Sequence, residues 1–93
     1  MGHTPFGYRI ENGKAVIDDA AAAQVRDLYK NYLGGLSLTN AAKEAGLNLL
    51  HSGAKRMMLN RHYLGDDFYP AIIDPASFDA VSVELSKRST HQS

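Results

Sequence analysis

Apolar positions recur along this chain in two rhythms. At the start Phe6, Tyr8 and Ile10 alternate with other residues, the period of a strand with one covered face. Asn12-Gly13 follows, a pair that readily adopts the positive φ angles of a tight hairpin turn, and Ala15 to Ile17 reads as the returning strand. Two strands are marginal alone, so the hairpin is expected to rest on a helix. From Asp18 the period becomes helical: Val25, Leu28, Tyr29, Tyr32 and Leu33 stand at i, i+3, i+4, i+7 and i+8. Asp18 or Asp19 caps this helix with negative charge at the positive end of its dipole. Gly34-Gly35 ends it, since glycine accepts the left-handed conformation past a helix terminus.

The same logic predicts three more helices. Ser37 caps a second, with Leu38, Ala41, Ala42 and Ala45 inward, and Gly46 stops it. A third begins near Ser52, read as its cap, and runs to about Asn60; Ala54, Met57 and Met58 face inward while Lys55, Arg56 and Leu59 point elsewhere. Asp66 to Ile73 reads as a short β excursion. Asp74-Pro75 opens a fourth helix, because proline at its first position loses no hydrogen bond, and Phe78, Val81 and Leu85 line one face. The polar tail from Lys87 is expected to fray, leaving a core of residues 4–88. The expectation is therefore one mainly α domain spanning 1–93: a small four-helix unit with a helix-turn-helix-like pair and a short N-terminal β-hairpin.

Length and composition narrow the classes. Ninety-three residues suit one domain, and 44% hydrophobic with 22% charged residues suits a folded one. Cysteine is absent, which excludes a disulfide framework and a thiolate metal site. No apolar run is long enough to span a bilayer, and Met1 to Thr4 is not the basic start of a secretory signal, so a soluble, cytoplasmic chain is expected. The histidines at 3, 51, 62 and 91 show no local pairing, so neither metal nor cofactor is predicted. No glycine-rich loop precedes a helix and no signature marks a nucleophile with its base; an independent enzyme is not expected.

Charge changes the picture more. Ten basic and ten acidic residues cancel, which excludes a purely electrostatic nucleic-acid binder. Yet residues 51–65 hold Lys55, Arg56 and Arg61 with no acid, while residues 66–93 hold five acids against Lys87 and Arg88. Two short helices, the second with surface bases, resemble a helix-turn-helix. On that reading Ser52 meets a phosphate, Lys55 and Arg56 face the groove with Arg56 forking onto guanine, and Arg61 and His62 hold the sugar-phosphate edge.

Five segments in order carry a family likeness: Pro5-Phe6-Gly7-Tyr8-Arg9; the acid-capped helix ending Tyr32-Leu33-Gly34-Gly35-Leu36-Ser37; an Ala-Ala helix; Arg56-Met57-Met58-Leu59-Asn60-Arg61-His62-Tyr63-Leu64-Gly65; and Pro70-Ala71-Ile72-Ile73-Asp74-Pro75-Ala76-Ser77-Phe78. This order resembles the recombinase domain of large serine recombinases, a helical DNA-binding module, over residues 4–88. The resemblance implies a stand-alone binder of double-stranded DNA without catalysis of its own, because the family's catalytic domain and nucleophilic serine have no counterpart here. Strand cleavage would then come from a separate recombinase catalytic subunit, or the chain would act through self-association in a mobile element. The segment Gly46 to Ser52 is shorter than the family's glycine- and tryptophan-containing linker. Arg9 and Lys14 are expected as outlying phosphate contacts. The rival expectation is a protein-interaction module using Leu49-Leu50, Leu59 and the acidic C-terminal segment.

Overall fold

The structure, a computed structural model, describes residues 4–90, the last two of them by backbone alone. Strands β1 (Tyr8–Glu11) and β2 (Lys14–Ile17) pair antiparallel, Tyr8 opposite Ile17 and Glu11 opposite Lys14. Asn12 and Gly13 take φ of 53° and 78°, the hand of turn that matches strand twist. The expected alternating face is only partly covered. Tyr8 is buried, but Phe6 and Ile10 are 39% and 47% exposed. The hairpin is anchored at its open end, where the Gly7 carbonyl accepts from the Asp18 N–H at 2.9 Å and Tyr8 enters the core, so its tip projects.

Helix α1 (Asp19–Leu33) starts where Asp18 accepts from the Ala21 N–H. Val25, Leu28, Tyr29 and Tyr32 are buried, whereas Leu33 is exposed. Eight residues of helix leave Leu33 about 80° away from the direction of Val25, off the buried stripe. Past the end, Gly35 has φ 114°, its N–H donates to the Tyr32 carbonyl, and the Leu36 N–H reaches back to Asn31. Helix α2 (Leu38–Glu44) repeats this closure at Gly46 (φ 84°), and Ser37 caps its start by accepting from the Asn40 N–H. Leu38, Ala41, Ala42 and Ala45 are buried as expected.

Helix α3 (His51–Met58) departs from expectation at its start. Its cap is Leu50, with extended backbone and no side-chain hydrogen bond, so Ser52 lies in the first turn, exposed, and caps nothing. Leu49 packs against the core just before it, which fixes where the chain turns inward. The helix ends at Met58, and Asn60 caps a 3₁₀ turn, Arg61–Leu64, by accepting from the His62 N–H.

The expected β excursion is absent. Asp66 accepts from the N–H groups of Phe68 (2.9 Å) and Tyr69 (2.7 Å), and those of Ile72 and Ile73 donate to the Tyr63 carbonyl. A carboxylate turn thus meets backbone needs that a strand would have met by pairing. Helix α4 (Pro75–Thr90) has proline in its first turn, and Asp74 accepts from the Ser77 N–H. It buries Phe78, Val81 and Leu85.

The backbone does not fray at Lys87. Helix α4 continues to Thr90 because Arg88 folds back: its guanidinium lies 4.0 Å from the centre of the Tyr32 ring and donates to the Leu36 carbonyl at 2.8 Å and to Glu84 at 2.9 Å. The rest of the expected tail, 91–93, lies outside the described residues, as do His3 and His91. One core unites these elements, with α1 against α2 and α4, and α3 against α2 and α4. The chain is mainly helical, with four α-helices and one two-stranded hairpin among the described residues. No helix in them is long and apolar enough to cross a membrane.

Candidate nucleic-acid interface

Helix α3 is held from within by small and flexible side chains. Ala54 and Met58 are fully buried, and Met57 is half-buried against the core. The Tyr29 hydroxyl, from α1, donates to the Met58 carbonyl at 2.6 Å and satisfies the end of α3. Burial pushes the Tyr29 phenol well above its ordinary pKa, keeping it a neutral donor.

Fixed this way, α3 turns Ser52 and Arg56 outward. Both are exposed, and four residues apart they share a face. No acidic residue occurs between Gly46 and Gly65, and the Arg56 guanidinium has no hydrogen-bonded partner among the described residues. Lys55 is placed differently. It is half-buried and leans into a cavity shared with α1, α2 and α4, so it does not stand beside Arg56 on the open face. Ala54 and Met58 define the inward direction of α3, yet Lys55 sits at the margin of that stripe, where α4 is a neighbour.

Arg61 lies beyond α3 in the 3₁₀ turn, exposed, with its guanidinium 5.7 Å from the centre of the Phe78 ring of α4. A contact of this kind is worth roughly 0.5–1 kcal/mol at an exposed site and positions the charge. His62 follows, its Nδ1 2.8 Å from Asp66 Oδ2 and its ring against Tyr69. The Tyr69 N–H first, then the His62 ring and the Phe68 N–H, hold the Asp66 carboxyl at about 2, below its ordinary 3.8. The basic window therefore ends at an ionised carboxylate that engages His62.

Arg9 and Lys14 do not join this face. The Arg9 Nε donates to Glu11 at 2.7 Å, and Lys14 stands opposite Glu11 in the strand register, so both cations sit on the hairpin. Hydrogen bonds tie this end of the chain to the 62–70 segment: the Tyr8 hydroxyl lies 2.8 Å from the His62 carbonyl and 2.6 Å from that of Pro70, and the Tyr63 hydroxyl donates to Phe6 at 2.7 Å. The six anticipated residues thus fall into three places: Ser52 and Arg56 on the open face of α3 with Arg61 just past its end, Lys55 in the cavity, and Arg9 and Lys14 on the hairpin.

Sequence reasoning missed Arg88 and the cavity it lines. The i,i+4 spacing of Glu84 and Arg88 could have suggested one partner, but the carbonyls that Arg88 reaches lie 52 and 56 residues away, and no local pattern signals them. Comparison with protein-family models, with curated proteins and with solved structures found no match to this chain.

Proposed function

We propose that this domain binds double-stranded DNA, with α2 and α3 acting as a helix-turn-helix pair related to the recombinase domain of serine recombinases. The carrying observation is the open face of α3, where Ser52 and the unpartnered Arg56 stand in a stretch without a single acid. Eight helical residues extend for about 12 Å, a length that fits along a major groove. In that pose Arg56 reaches guanine O6 and N7 as a fork, Ser52 meets a phosphate, and Arg61, steadied on Phe78, holds the flanking backbone. Lys55 adds its charge by swinging out of the cavity. Arg9 and Lys14 contribute less, because Arg9 is paired with Glu11 and both stand on the hairpin rather than on α3.

Two phosphate contacts from Lys55 and Arg61 correspond to a slope of log K against log salt of about −2. Such a module binds weakly alone and gains from tethering or self-association. On this reading the domain itself brings no catalysis, and cleavage falls to a recombinase catalytic domain outside these 93 residues. An NMR titration with a random-sequence duplex at low and then moderate salt tests this reading. Shifts concentrated at 51–62, weakening with salt and abolished by Lys55→Ala/Arg56→Ala, are expected. No shifts at low salt would overturn it.

A second reading rests on Leu50, which is 80% exposed, and Leu59, 42% exposed, at the two ends of the same helix. Apolar groups so placed suit a protein partner. In that case the double cation variant keeps its partner and Leu50→Ser/Leu59→Ser loses it.

A further inference from the structure

A cavity of about 290 Å3 opens where the end of α1, the starts of α2 and α3 and the end of α4 meet. Its floor is apolar, formed by the buried Tyr32, Leu38 and Leu85. Its polar lining is Ser37, His51, Lys55 and Arg88, and among the described residues no carboxylate lines it. The two cations differ. Arg88 is already compensated: Glu84 accepts from its Nε at 2.9 Å, the Leu36 carbonyl takes another N–H, and its charge stacks on Tyr32. Lys55 has no hydrogen-bond or ion-pair partner among the described residues, although it is half-buried. Its ammonium has three donors and shares a concave space with a second cation.

One uncompensated positive charge above an apolar floor defines a ligand with one negative charge and an apolar body. The volume lies at the lower limit of the roughly 300–1,000 Å3 of ligand pockets, so that body is small. The Arg88 guanidinium, stacked on the nearly fully buried Tyr32 ring, lines the cavity and offers it a planar surface. We propose that this cavity binds a small aryl carboxylate, its anion on Lys55 and its ring against the Arg88 guanidinium, Leu38 and Leu85. A phosphate monoester fits less well, since its second charge finds no second free cation among the described residues lining the cavity. Because Lys55 belongs to α3 and Arg88 to α4, an occupied cavity ties the two helices together. The proposal shares only Lys55 with the DNA reading and needs none of the exposed face of α3, so cavity binding is tested without a duplex.

The test uses 2-naphthoate as the probe and its neutral counterpart 2-naphthylmethanol as the control, each titrated into the labelled protein and followed by NMR. Saturable shifts at His51, Lys55, Leu85 and Arg88 are expected with the carboxylate, and binding of the alcohol weaker by roughly tenfold or more, the loss of a charged hydrogen bond. Lys55→Met, which keeps the length of the side chain, should weaken 2-naphthoate by a similar factor and leave the alcohol unchanged. Absence of saturable shifts at these residues up to the solubility limit overturns the proposal. So does equal affinity for acid and alcohol, a comparison that needs no variant. Unaltered 2-naphthoate affinity in a Lys55→Met protein with a native amide spectrum overturns the assignment as well.

Discussion

The helical half of the domain and the end where the hairpin meets residues 60–73 solve the same problem with different chemistry. Around α2 and α3 the backbone satisfies itself, and fully buried Ala41, Ala42 and Ala54 form much of the contact. Side-chain donors are needed only near helix ends, as where Gln24 reaches the Ala45 carbonyl at 3.2 Å and Tyr29 reaches Met58. Around residues 60–73 the chain is irregular and its carbonyls are not taken up by a ladder. Large residues with a polar tip serve there: Tyr8 for His62 and Pro70, Tyr63 for Phe6, Arg26 for Ile72 at 3.1 Å. Irregular backbone enters a small core only with donors sent to meet it. The alanine half depends on fit, and the tyrosine half on fit plus hydroxyls.

The largest effect should come from Tyr63→Ala, which removes a fully buried ring from the irregular half at a cost of about 3–5 kcal/mol, read by chemical denaturation. Ala54→Leu probes the other half. Overpacking the contact between α3 and its neighbours should cost about 1–3 kcal/mol, and a neutral result would mean that this half is loosely fitted. Tyr63→Phe separates ring from hydroxyl. A loss of about 1–2 kcal/mol supports the need for the donor, whereas no loss erases the contrast between the halves.

Acid and alkali should also act unevenly. Asp66, held at about 2 against an ordinary 3.8, keeps the 66–69 turn intact above about pH 4, and the turn should open as pH falls from there towards 2. Amide shifts of Phe68 and Tyr69 would report it, and Asp66→Asn should remove the transition. Burial first, then the Asp66 charge, raises the Tyr8 phenol from 10.0 to about 12, so its contribution is full below pH 10 and is lost as pH climbs from 10 towards 12. The smallest effect on stability, within about 0.5 kcal/mol, is expected for the exposed Arg56→Ala, whose consequence belongs to duplex binding.

Local chemistry made α1, α2 and the start of α4 readable, because Asp18, Ser37, Asp74-Pro75, Gly35 and Gly46 act on backbone a few residues away. The start of α3 was misplaced for the complementary reason: Ser52 has the chemistry of a cap, but the chain turns inward after Leu49, and Leu50 holds the position without a side-chain bond. Asp66 to Ile73 looked like a strand because it is rich in aromatic and β-branched residues, yet no partner strand exists there and Asp66 closes a turn instead. For the candidate interface, periodicity placed Arg56 outward correctly. It could not place Lys55 beside Arg88, since that neighbour is 33 residues on and is brought near by the packing of α4 on α1 and α3. Nor could it foresee that Glu11 pairs with Arg9 two residues before it on the same strand.

The tyrosines have a practical side. The chain has five of them and no tryptophan, and Tyr8, Tyr29, Tyr32 and Tyr63 are buried. Near-ultraviolet absorption and circular dichroism are therefore dominated by rings inside the core, most of them bonded to backbone carbonyls. The molecule carries its own optical gauge of tertiary order, spread over both halves and legible without a label. Tyr32, beneath Arg88, extends that gauge to the wall of the cavity, where an arriving aromatic ligand would perturb its band.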